Sequence, residues 1–243
     1  MEKMKGFFDE FFFDTGITPV CIIAVPFVLI ALYQGTIKDV ENLGFITYAI
    51  VIILLIVMAK IGREIGKKYE AIMFKELGEK PTTIVMRYSD HRIDEHTKTR
   101  YHEKLNELIS ELNLPLSKEE EKEDADELYQ SAINWLRTNR GNDTTKYRAA
   151  YRALKDYNFW RNLLGLKYLA ITLYGLFAVR ELYTLQKFDF QKLFLNPFPE
   201  YFAFLVFIIS AILVRLFVDM KVVKRKAFDY AVALIESCDI QSE

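Results

Sequence analysis

All three histidines of this chain, His91, His96 and His102, fall in one stretch beside Asp94, Glu95 and Glu103. Imidazole and carboxylate are the side chains of choice for zinc and related ions. The spacing argues against a metal centre. His96 and His102 lie six positions apart, on different faces of a helix with 3.6 residues per turn, and no HExxH or CxxC run accompanies them. A metal-dependent membrane hydrolase built on these histidines is therefore the weakest functional reading. The same stretch is rich in cations and hydroxyls: Lys80, Thr82, Thr83, Arg87, Arg92, Lys98, Arg100 and Tyr101. Guanidinium and ammonium groups beside hydroxyls suit phosphate oxygens, and an aromatic ring flanked by Arg100 and His102 can stack a base. Lys80, Thr83, Arg87, His91, Lys98, Arg100 and Tyr101 form the expected ligand-binding set, for an anionic nucleotide ligand. The competing reading is a solvated charged face. No glycine-rich phosphate cradle, no GxSxG elbow and no Ser/His/Asp or Cys/His grouping is present, so an enzyme is not expected. No cofactor is implied.

A second group of charges lies inside apolar sequence. Arg180 and Glu181 sit 13 and 14 positions beyond Lys167, about 20 Å along a helix. Ionisable groups at membrane depth are costly and usually face a bundle interior or an aqueous path. Thr172, Arg180 and Glu181 are the expected pore or gating residues, against a bland alternative in which Arg180 and Glu181 snorkel to the outer headgroups. Gly165, Tyr168, Thr172, Gly175 and Val179 share one face, whose small residues permit close helix contact.

The elements that must position these residues follow from composition. The chain is 51% hydrophobic and 27% charged, with net charge −1 and two cysteines. These values exclude intrinsic disorder, a disulfide scaffold and a general nucleic-acid binder. Apolar blocks occupy both ends and charges the middle. The runs 15–37 and 42–59 contain no charged residue, and each approaches the about 20 apolar residues that cross a bilayer. Pro19 and Pro26 predict kinks, which a bundle tolerates where neighbours satisfy the freed carbonyls. Two further spans are expected near 163–185 and 198–218, with Lys167 and Arg215 snorkelling. The aromatic and proline-rich run 188–199 reads as an interfacial belt or re-entrant cap.

The resulting expectation is an all-α integral membrane protein, with four transmembrane helices in two hairpins and an inserted cytoplasmic helical domain. Its parts are an N-terminal hairpin (1–62), the cytoplasmic domain (63–161), a C-terminal hairpin (162–220) and a cytoplasmic tail (221–243). Lys60, Arg63, Lys67, Lys68, Arg148, Arg152, Lys155, Arg161, Lys221, Lys224, Arg225 and Lys226 outweigh Lys38, Lys187 and Lys192 in the two short joints. By the positive-inside rule both termini and the middle domain face the cytoplasm.

Within 63–161, the second span continues as a helix through Ile61, Ile65, Ile72 and Leu77 until Gly78 and Pro81 stop it. The β-branched run 82–88 reads as a short extended segment. Helical spacing returns at Tyr101, Leu105, Leu108 and Leu112. Ser117 and Glu120 make a capping-box pattern, followed by an apolar stripe of Ala125, Leu128, Tyr129, Ala132, Ile133 and Leu136. After Asp143 or Thr144, a last helix carries Tyr147, Ala150, Tyr151 and Leu154 into the third span without a breaker. An acidic block at 119–127 faces a basic run from Arg137 to Arg161, for mutual pairing or for solvent. Two spans thus enter the domain as unbroken helices, able to deliver a shift in the domain to the bilayer.

Four runs carry a resemblance: GEKPTT (78–83), HRIDEHTKTRYH (91–102), ADELYQSAINWL (125–136) and NFWRNLLGLKY (158–168). Together they resemble a family of bacterial four-span membrane proteins that includes the transmembrane effectors of Hailong-type anti-phage systems, which are paired with a nucleotidyltransferase. The run NRGNDTT (139–145) departs from the family's pattern. The resemblance implies a homo-oligomer in the bacterial inner membrane, with a tetramer as the expected number. That oligomer would be an ion channel or pore held shut until a nucleotide-derived ligand reaches the cytoplasmic domain, with a nucleotidyltransferase as possible partner. The alternative is a non-conducting anchor or scaffold whose acidic and basic helices recruit a soluble cytoplasmic partner.

Overall fold

The computed structural model describes residues 10–35, 45–122, 124–140, 145–184 and 201–240. Every regular element among them is helical: α1 (Glu10–Tyr33), α2 (Phe45–Leu77), α3 (Pro81–Met86), α4 (Glu95–Leu108), α5 (Ala125–Arg140), α6 (Arg148–Thr184), α7 (Phe202–Phe217) and α8 (Met220–Glu236). They divide into two compact units, one drawn from 1–69 and 159–220 and the other from 70–158 and 221–243. Helices α2 and α6 each contribute residues to both.

The first unit is apolar outside as well as inside. Val28, Leu32, Ile53, Leu54, Leu176, Val179, Leu213 and Leu216 are all large, hydrophobic and exposed. So many exposed large apolar side chains are compatible with a bilayer around this unit. Two helices, α1 and α6, are long and apolar enough to cross a membrane; α7 and α8, bent by 48°, add a third if the pair is taken as one span. Helix α2 carries the uncharged run onward from residue 45. Residues 36–44, with Lys38, and 185–200, with Lys187, Lys192 and the 188–199 belt, lie outside the described residues.

A neighbouring helix satisfies the carbonyl that Pro19 of α1 frees, as expected of a bundle. Pro19 has no N–H to give the carbonyl one turn back, and Asn162 Nδ2 of α6 donates to Thr15 O at 2.7 Å instead. A π-helical turn at Phe13–Ile17 precedes it. Near Pro26, the Tyr174 hydroxyl donates to Ile23 O at 2.7 Å. Phe27 packs within 5.0 Å of Phe177 and 5.1 Å of Phe207, knitting α1, α6 and α7 together.

Lys167 does not snorkel. It is 4% exposed, and its ammonium donates to Val218 O at 2.5 Å and Arg215 O at 3.3 Å. These are carbonyls at the C-terminus of α7, which a helix leaves without intrahelical donors. A buried lysine capping them satisfies both hydrogen bonding and the helix dipole.

The second unit has an ordinary core. Val85, Met86, Tyr101, Leu105, Leu112, Tyr129, Ile133, Leu136, Phe228, Leu234 and Ile235 are buried in one cluster. Two local expectations are corrected here. Residues 82–88 are not extended: Pro81 opens a six-residue helix, buried at Pro81, Thr82, Thr83, Val85 and Met86, because Pro at the first helical position presets φ and burial overrides β propensity. Helix α4 starts at Glu95, where Asp94 accepts from Thr97 N at 2.9 Å, an N-cap that the apolar spacing alone did not reveal. Ser117 starts no helix; turns follow it, Glu120 accepts from Leu116 N at 2.9 Å, and α5 begins only at Ala125. The segment set apart as a tail folds into this core, with α8 burying Val223, Ala227, Phe228, Ala231, Leu234 and Ile235.

Candidate functional site

The polar residues of the 80–102 stretch are organised by α3, α4 and the turn joining them. Chain leaving α3 turns extended at Arg87, and Asp90 N donates to Arg87 O at 3.1 Å to close the turn. Lys98 lies one turn into α4 and reaches back across this turn. Its ammonium donates to Arg87 O at 2.5 Å and Asp90 O at 2.6 Å, and the side chain is 2% exposed. Burial pushes the Lys98 ammonium below its ordinary range, against the upward pull of Asp90, Glu121 and Glu95. The Tyr88 ring lies 5.9 Å from that ammonium.

His102, one turn further along, is buried between the Tyr88 and Tyr129 rings, each 5.4 Å away. Its Nδ1 faces Pro115 O at 2.7 Å. A carbonyl only accepts, so Nδ1 carries the proton. Burial holds the imidazole neutral, with its pKa below the usual 6.5. Glu121 links the loop to both sides: it accepts from Tyr88 N at 3.1 Å and from the Tyr129 hydroxyl at 2.7 Å. The Arg87 guanidinium grips Asp126 through two bonds, at 2.8 and 2.5 Å. Part of the acidic block is thereby bound inside its own unit, through Glu120, Glu121 and Asp126.

Of the seven expected ligand residues, the structure brings Arg87 and Lys98 together, through the Arg87 carbonyl. Thr83 is 1% exposed and its hydroxyl has no hydrogen-bond partner among the described residues. Tyr101 is buried, with Arg100 beside its ring at 5.3 Å. Lys80, His91 and Arg100 are exposed, and Arg100 pairs with Asp239 at 3.1 Å. The exposed members are accessible to a ligand; Thr83, Lys98 and Tyr101 shape the scaffold beneath them. His91 and His96 are both exposed while His102 is buried, and among the described residues no group of three or more His, Cys, Asp or Glu is arranged to hold a metal.

In the first unit, Thr172 and Arg180 face outward. Arg180 pairs with Glu181 at 3.3 Å. Tyr168, Leu176, Val179 and Tyr183 are exposed on the same helix, so Thr172 and Arg180 stand on an outer face of a single copy, whereas the Glu181 side chain is largely covered. The expected seam divides: Gly165 packs against Gly62 and Gly66 of α2 within the chain, whereas Gly175 has open space around it. Sequence reading missed the Gly62-x-x-x-Gly66 pair, a spacing that signals close helix approach, and the burial of Arg161, Asn162 and Lys167. No protein-family model matches the chain, nor does any curated protein or solved structure.

Proposed function

We propose that the protein is a homo-oligomeric membrane effector, a channel or pore of the bacterial inner membrane, gated by a nucleotide-derived ligand in anti-phage defence. Four spans, α1, the first part of α2, the second part of α6 and α7, cross the bilayer with both termini in the cytoplasm. The observation that carries this reading is the joint membership of α2 and α6 in an apolar-surfaced unit and a polar-surfaced, conventionally cored one. A ligand that favours one packing of the second unit around these helices shifts the population of the first. Ligand contacts fall to Lys80, Arg87, His91 and Arg100, held by the Lys98 and His102 network. Thr172 and Arg180 stand on an outer face of one copy and can border a water path only where other copies surround it, which is why the reading requires an oligomer.

The anchor reading draws less support, because Glu120, Glu121 and Asp126 already have partners inside the unit. The test is ion flux through the protein in proteoliposomes, with the nucleotide product of a paired nucleotidyltransferase added to the domain side. Lys80→Ala and Arg100→Ala should abolish the ligand's effect while leaving the folded protein intact, and Arg180→Leu should alter basal flux. Absence of flux under every condition would favour the anchor; flux with an unchanged ligand response in Lys80→Ala and Arg100→Ala would remove the ligand site.

A further inference from the structure

The second unit carries an open depression of about 690 Å³ lined by Arg92, Lys221, Lys224, Arg225 and Phe228, with Asp229 and Glu236 on its walls. None of the seven residues discussed above lines it. Spacing of three and four along α8 puts Lys221, Lys224 and Arg225 on one face. None of these three makes a hydrogen bond or ion pair among the described residues. Arg92 comes from the turn before α4, far away in sequence; its guanidinium lies 3.6 Å over the Phe228 ring and is paired with Asp90. It is fixed in place with part of its donor fork still open. Asp229, by contrast, is engaged by Lys226 at 3.7 Å.

This arrangement is unfavourable as it stands. The cations occupy the opening turns of α8, where the helix dipole disfavours positive charge, and like charges four apart repel. A bound anion reverses both effects. The volume falls in the range of small-molecule sites, well beyond a single ion, and Arg and Lys together match phosphate oxygens. We propose that this depression binds a phosphate ester whose non-phosphate part fills the remaining space. Two sources offer that chemistry: a soluble phosphate ester, or the headgroup of an anionic phospholipid, since α8 follows the apolar α7 after only residues 218 and 219. The site belongs to the second unit alone and does not depend on the gating reading.

The test uses the full chain in nanodiscs and follows amide hydrogen exchange across 220–236. In discs of phosphatidylcholine alone, ATP and inorganic pyrophosphate serve as soluble probes; a parallel sample replaces part of the lipid with phosphatidylglycerol. Protection of 220–236 by ATP or pyrophosphate identifies a soluble ligand, and protection by phosphatidylglycerol alone identifies a headgroup. In either case Lys224→Gln and Arg225→Gln, which preserve helix propensity, should weaken the effect about tenfold or more each. Lys118→Gln, on an exposed turn elsewhere, should not. Protection by neither source, or equal protection in the two α8 variants, overturns the proposal.

Discussion

His102 is neutral in the folded chain because its ring is buried among Tyr88, Tyr129 and the Pro115 carbonyl. Its folded pKa lies below 6.5, so below that pH the unfolded chain takes up a proton that the folded chain refuses. Stability therefore rises with pH up to about 6.5 and is lost as pH falls beneath it, by up to about 1.4 kcal/mol per pH unit for one proton. Lys98 reinforces the shift and Glu121 opposes it. Denaturation midpoints between pH 7 and pH 5 should fall in the native chain and flatten in His102→Gln, which keeps a donor for Pro115; an unchanged slope would show that another group titrates there. Burial also pushes the Cys238 thiol up to about 12. Its thiolate is then scarce at pH 8, and alkylation should follow unfolding rather than precede it. Rapid labelling of Cys238 in the native protein would contradict its place in the core. At Arg87 and Asp126 both side chains are about one-third exposed, so solvent screens the pair, and a double-mutant cycle should return only about 1 kcal/mol.

Among elements, the crossing of α2 and α6 makes the sharpest claim. A Cβ on Gly165 would meet the Gly62 carbonyl and come within 2.7 Å of the Gly66 nitrogen, and one on Gly66 within 2.6 Å of Arg161 O. Backbone cannot yield as a side-chain tip can, so Gly165→Ala should destabilise the detergent-solubilised protein by at least about 1–3 kcal/mol, the usual range for overpacking. Gly175→Ala on the same helix meets nothing and should be neutral or slightly stabilising, given the helix preference for Ala. Equal thermal shifts for the two variants would mean that the helices are not in backbone contact. The contrast also shows what the sequence made legible. Of the expected stripe, Ala125, Tyr129, Ala132, Ile133 and Leu136 are buried and Leu128 is half-buried against the same core, because periodicity reports burial directly. The Gly78 stop is real too, at φ +80°. Which of two small-residue faces touches a neighbour is decided by the partner helix, and period alone carries no information about the partner. The same holds for the ligand set. Composition marked a cation-rich stretch, but the burial of Lys98 and Tyr101 depends on where the 109–124 loop and α8 come to rest. The α8 pattern of Val223, Ala227, Phe228, Ala231, Leu234 and Ile235 has the same helical period, in the segment expected to be a cytoplasmic tail.

For the whole molecule, the exposed apolar residues of the first unit fit a bilayer better than water as its surroundings. Ile53 is 58% exposed on α2 and Leu176 is 63% exposed on α6. On a soluble protein, aspartate at either position would be tolerated or would improve solubility. In lipid, an acidic residue near the middle of a span costs about 2.5–3.5 kcal/mol of insertion free energy. Ile53→Asp and Leu176→Asp should therefore reduce the fraction of the chain that resists alkaline extraction from membranes. The charge-matched control Ile72→Asp, exposed on the second-unit part of the same α2 helix, should leave that fraction unchanged. Orientation adds an independent reading of the same vesicles. With cysteine at Lys118 in a Cys21→Ser, Cys238→Ser background, a membrane-impermeant maleimide should label inside-out vesicles and spare right-side-out ones, as the lysine and arginine distribution requires. Extraction of all forms alike would deny the first unit its bilayer. Labelling from the outer side would keep the bilayer but put the second unit across it, away from any ligand made in the cytoplasm.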